Sequence, residues 1–166
     1  TRQDHLRDDQ GTLTRENNGG RQVARFLGGT GTLENDGSAS IAWSGVFTVN
    51  AYGGMVPFWV RDPKLIVTAS GAGTLTADLG GFGSTQADPN TMVQLPWSLG
   101  VTVSSFQAVT IPALGAVNLT PTYAGVAVTS CPGADPQFRT GDWGSWPQDF
   151  VNFHCATGLA SYWYSS

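Results

Sequence analysis

The chain has 166 residues, 40% of them apolar, which supplies one hydrophobic core and little for a second. Charged residues make up only 12%, about half the globular average, while 22 glycines and nine prolines shift the composition toward turns and short extended segments and exclude a mainly helical protein. Eight Lys plus Arg against twelve Asp plus Glu leave a formal charge of −4 without the basic stripe that displaces counterions from nucleic acid, and no apolar run approaches the roughly 20 residues needed to span a bilayer. The chain begins at Thr1 without a signal-peptide pattern, so it reads as a mature chain or an excised fragment.

In chain order, residues 1–22 read as a polar arm with few apolar side chains, loosely held or forming an edge strand near Thr12 to Thr14. Val23 to Leu27 is a short apolar strand, and Asp36-Gly37 is a strong hairpin turn signal. From Ala39 to Asn50 apolar and polar residues alternate, with Ile41, Trp43, Gly45, Phe47 and Val49 on one side, which predicts a single strand. Met55 to Val60 follows as a strand that Pro57 consigns to an edge or a bulge, and Asp62-Pro63 breaks the run. Lys64 to Thr68 and Thr74 to Leu79 form a hairpin through Ser70-Gly71-Ala72-Gly73, and Gly80 to Thr91 reads as a long connection. Met92 to Leu95, Val101 to Phe106, Val109 to Ile111, Ala116 to Leu119 and Tyr123 to Thr129 complete a set of about ten short strands. That pattern predicts an all-β fold, an Ig-like antiparallel β-sandwich. The body is assigned to 23–130, and 131–166 is an aromatic C-terminal extension packed on the same domain.

In that extension Ser145 and Gln148 have capping-box spacing, Pro147 suits a first turn, and Gly158 would stop a helix, so one short helix is expected from about Pro147 to Ala156. Cys131 and Cys155 lack the partners of a zinc site. They form one disulfide or remain two thiols, and the low charge and abundant Thr, Ser and Gly favour the disulfide of an exported domain.

The parts for enzymatic chemistry are scarce. Two histidines are present, His5 in the arm and His154 in the expected helix, and no G-x-S-x-G, P-loop or H-E-x-x-H occurs. The chain therefore reads as non-catalytic, with no metal site. His154, beside Phe150 and Phe153, is expected to be a hydrogen-bonded boundary residue rather than a ligand. Asp8-Asp9 reads as a solvated acidic pair. Trp143, Trp146, Tyr162, Trp163 and Tyr164 could form a carbohydrate-stacking platform or a protein-binding patch, although most of such a cluster is ordinarily packing.

The stretch Ser40 to Gly54 (SIAWSGVFTVNAYGG), followed by Asp62-Pro63-Lys64-Leu65 and by Gly73-Thr74-Leu75-Thr76-Ala77-Asp78-Leu79, resembles the Htaa domain of actinobacterial cell-surface proteins. Pro112-Ala113 and Tyr123-Ala124-Gly125 continue the resemblance, which runs from about Arg25 to Val128. It implies a mostly β fold, export to the cell envelope and, in the family's characterised members, haem capture for iron uptake. The family's iron-ligating tyrosine comes from an N-terminal segment, yet Thr1 to Gly20 contains none, and Tyr52 stands where the family pattern has histidine before Gly-Gly. Tyrosinate ligates ferric haem, so Tyr52 is the position left for an axial ligand; the alternative is a turn aromatic packed over Trp59. Two functions follow as expectations: an extracellular surface module acting on protein, glycan or its own copies with a degenerate haem site, or a haem-binding or haem-relay module using Tyr52.

Overall fold

The computed structural model describes residues 6–8, 22–51, 56–84 and 88–166. It is mostly β. Strands β1 (Leu6–Asp8) and β2 (Gln22–Ala24) form an antiparallel ribbon, with Arg7 opposite Val23. Strands β3 (Thr30–Leu33), β4 (Ala39–Ala42), β5 (Val46–Ala51), β6 (Val56–Val67), β7 (Gly73–Gly83) and β8 (Val93–Phe106) form a six-stranded antiparallel sheet in the order β3-β4-β6-β7-β8, with β5 also on β6. One short helix, α1 (Gln148–Phe153), lies near the C-terminus. Among the described residues no helix is long and apolar enough to cross a membrane.

The first hairpin turns at Asp36-Gly37 as expected. Asp36 Oδ1 accepts from the Ser38 amide at 2.9 Å and the Ser38 hydroxyl at 2.7 Å, and Gly37 takes φ +85°. The alternating stretch 39–50 is two strands rather than one. Gly45, at φ +130°, separates β4 from β5, and both pair with the same side of β6. β4 pairs with Lys64 to Val67 and β5 with Val56 to Arg61. Asp62-Pro63 does not break β6; the register shifts there, between Arg61 and Lys64, as in a β-bulge. Asp62 has φ +47°, and its Oδ1 accepts the Gly45 amide at 2.8 Å, so the bulge in β6 and the gap between β4 and β5 hold one another.

β6 is therefore central, not an edge. Pro57 is tolerated because it stands at the start of the strand, paired to Asn50 of β5 but before pairing with β7 begins at Phe58. β7 runs on through Gly80 to Gly83, where a connection was expected, and β8 is one bulged strand across Pro96. Val109 to Ile111, Ala116 to Leu119 and Tyr123 to Thr129 are irregular chain, apart from a bridge of Ala124 to Gly144. Eight strands are present among the described residues, against about ten expected.

On one face of the sheet, called the inner face below, Phe58, Val60, Ala77, Leu79, Leu95 and Val101 pack with Phe150, Phe153 and Leu159 of the C-terminal segment. Phe47 and Val49 join this cluster, while Ile41 and Trp43 join a second one around Leu65, Val67 and Phe106. The alternation seen in the sequence thus feeds two adjoining cores. A third cluster, Val128, Cys131, Val151, Ala160 and Tyr164, lies within the stretch from Tyr123 to the C-terminus, which acts as one C-terminal segment because Ala124 bridges Gly144 and Gln137 bonds Val126 and Val128. Cys131 and Cys155 are joined in a disulfide with Cα atoms 5.6 Å apart.

The helix is shorter than expected, and the capping box does not form. Pro147 occupies the N-cap without a side-chain bond, Ser145 Oγ donates to the Trp146 carbonyl, and Gln148 reaches across to the backbone of Thr129. A turn of 3-10 helix, Cys155–Thr157, then ends at Gly158 with φ +70°. Gly83 lets this segment close on the sheet, since a Cβ there would stand 2.8 Å from Thr157 Cγ2.

Candidate functional site: an aromatic cluster on the open face

Period-2 alternation along β6 buries Phe58 and Val60 and leaves Trp59 and Arg61 on the opposite face, only partly covered. Pairing across strands places Val46 and Thr48 of β5, and Asp78 and Gly80 of β7, beside them. Phe82 lies further along β7 on the same side, opposite Gln94 of β8. Trp97 of β8 leans over Gly80: a Cβ on Gly80 would meet Cδ2, Cε3 and Cε2 of the indole at 2.9 to 3.2 Å, so the ring needs glycine beneath it.

These side chains touch in series. Phe82 meets Trp59 edge to face at 5.6 Å between centroids, and Trp59 lies 5.6 Å from Trp97 at an interplanar angle of 32°. The Arg61 guanidinium sits 4.0 Å from the centre of the Trp97 ring, close enough for a cation–π contact. Arg61 is held in turn by Asp78, through Nη2 at 2.8 Å and Nε at 3.3 Å to Oδ2. The other carboxylate oxygen accepts the Gly100 amide at 3.0 Å. The Arg61 hydrogen bond, then that of Gly100, holds the Asp78 carboxyl below its ordinary range, so the pair stays ionised near neutrality. Trp97 remains 41% exposed and Val46 49%. Backbone, cation and aromatic rings thus fix a ledge of Trp and Arg before any partner arrives, which lowers the entropy cost of a contact made there.

Tyr52, the position for an axial haem ligand, falls outside the described residues, as does His5. Of the C-terminal aromatics, Trp146 packs on Phe150 at 6.0 Å and Trp163 on Phe58 at 5.8 Å. Tyr164 is buried with its hydroxyl donating to the Asp135 carbonyl at 2.6 Å. Trp143 is half-buried, 5.8 Å from the Arg139 guanidinium, and Tyr162 is exposed. The structure does not gather these five on one open face.

His154 is not the hydrogen-bonded boundary residue expected. It is 0% exposed, neither ring nitrogen has a hydrogen-bond partner, and burial pushes its pKa down to about 3. Sequence reasoning missed Trp59, Arg61, Asp78, Gly80 and Trp97. The usable signal was the alternation in Phe58-Trp59-Val60-Arg61, whose odd positions carry an aromatic and a cation to the face opposite the core.

Among the described residues no group of three or more His, Cys, Asp or Glu could hold a metal ion. Compared with protein-family models, with curated proteins and with solved structures, the chain has no match.

Proposed function

We propose that this chain is an exported, non-catalytic surface module of Htaa type that works by contact, and that the contact face is the open face of the sheet, with a second copy of the chain as its partner. One observation carries the reading: a prepacked Trp59–Trp97–Arg61–Asp78 cluster on a sheet face that the described residues leave partly exposed. Trp and Arg are the residues that most often dominate binding energy at protein interfaces. The face also bears both signs of charge side by side, with Arg61 and Asp78 side chains 37% and 25% exposed. A two-fold interface repeats one patch on both partners, so Arg61 of one copy meets Asp78 of the other around an apolar centre of Trp97, Trp59 and Val46. The haem site of the family is degenerate in this reading, because Thr1 to Gly20 lacks a tyrosine.

The test is sedimentation equilibrium across micromolar to millimolar concentrations for the native chain and for Trp97→Ala. Reversible dimerisation weakened at least about 30-fold by the substitution, the loss that a 2 kcal/mol hot spot produces, supports the reading. A native chain that stays monomeric throughout overturns the self-contact. Glycan binding abolished by Trp97→Ala would reassign the same face to saccharide.

A further inference from the structure

His154 lies where the C-terminal segment meets the sheet, and four aromatic rings contact it. Trp163 stacks on it at 4.8 Å between centroids, while Phe58, Phe150 and Phe153 meet it at steep angles at 5.0, 5.0 and 4.9 Å. Phe58 belongs to the sheet; the other three belong to the segment that covers it. The imidazole is therefore part of the docking surface itself, and a neutral ring leaves its N–H unpaired there. The covering segment also has its own cluster around Val128, Val151, Ala160 and Tyr164, closed by the Cys131–Cys155 disulfide next to His154. Gln137 ties the same segment together, accepting from the Val128 amide and donating to the carbonyls of Val126 and Gly144. The cover thus holds its shape by bonds that do not involve the sheet.

We propose that the C-terminal segment is an acid-released lid: protonation of His154 within its aromatic cage undocks this disulfide-stapled unit from the inner face of the sheet and bares Phe58, Val60 and Leu79. Among the described residues a charge placed in the cage has no counter-ion. Arg61, Asp62 and Lys64 of β6 are exposed or half-exposed, and Asp78 of β7 is engaged with Arg61 on the other face. β8 carries no ionisable side chain, Asp149 of α1 is exposed, and Tyr162 is exposed while the Tyr164 hydroxyl is turned to Asp135. Burial alone depresses the ring's pKa, with no charged group contributing.

The docked state binds this proton only near pH 3, whereas a solvated imidazole binds it at 6.5. Docking is therefore full above about pH 6.5 and loses about tenfold in its equilibrium constant for each pH unit below, until the docked ring itself titrates near 3. Between pH 6.5, where half of the open-state rings already carry the proton, and pH 4.5 the open fraction rises about 50-fold.

Hydrogen exchange, corrected for the intrinsic pH dependence, tests the proposal on the intact oxidised chain. Peptides covering 56–61 and 148–163 are expected to gain about 50-fold in opening between pH 6.5 and 4.5, while 64–67 with 73–76 keeps its protection; His154→Leu is expected to remove the pH dependence. Simultaneous loss of protection across the whole sheet, or an unchanged acid response in His154→Leu, would overturn it. Should that variant fail to fold, the native imidazole resonances decide: a ring that stays neutral while docked and gains its proton together with opening supports the lid, and a ring that titrates near 6.5 with the lid still docked overturns it.

Discussion

Removing the staple between Cys131 and Cys155 provides a quantitative check on how the C-terminal segment is held. The two residues are 24 apart in sequence, and in the chain-entropy view closing a loop of that length stabilises the folded state by about 3 kcal/mol. Alanine is the better replacement, because Cys131 is only 8% exposed and serine would bury a hydroxyl among Val128, Val151 and Tyr164. For a chain of this size each kcal/mol moves Tm by roughly 2–4 °C, so Cys131→Ala/Cys155→Ala is expected to melt about 6–12 °C below the oxidised native chain. The assay is calorimetric or circular-dichroic melting of both proteins with and without reductant. Reductant should bring the native chain down to the double variant and leave the variant unmoved. Native and variant Tm values within about 2 °C under oxidising conditions would refute the assigned stabilisation.

Gly80→Ala places a methyl group 2.9 Å from the Trp97 indole, so the ring must leave its seat over β7. The near-UV circular dichroism of the Trp59–Trp97 pair is expected to change and dimerisation to weaken; an unchanged spectrum would show that the ring does not rest there. Titration with ferric haem is expected to give no saturable one-to-one complex with a tyrosinate spectrum, and a saturable band abolished by Tyr52→Phe would contradict a degenerate haem site.

The hairpin at Asp36-Gly37, the β6–β7 hairpin, the disulfide and the C-terminal helix were legible because each rests on a local rule: a turn dipeptide, β-branched runs, a cysteine pair, and Pro147 followed by Gly158. The errors came from residues whose meaning depends on a neighbour distant in sequence. Gly80, Gly81 and Gly83 read as a loop, yet each sits in β7 where something approaches closely: Trp97, the carbonyl of Pro57, and Thr157. Asp62-Pro63 read as a break because nothing in the sequence shows that Gly45 meets it from the other side. His154 read as a boundary residue because helical spacing shows its own element's aromatics but not Phe58 or Trp163. The open-face cluster escaped notice for the same reason: its members come from β6, β7 and β8, and only the strand register assembles them.

Sedimentation equilibrium of the native chain beside Trp97→Ala addresses the contact face directly. A concentration-dependent dimer in the native chain, lost or weakened at least about 30-fold in a variant that melts at the native temperature, is the outcome expected of a module that binds its own copy through the open face of the sheet. A strictly monomeric native chain, or a dimer indifferent to Trp97, would contradict it.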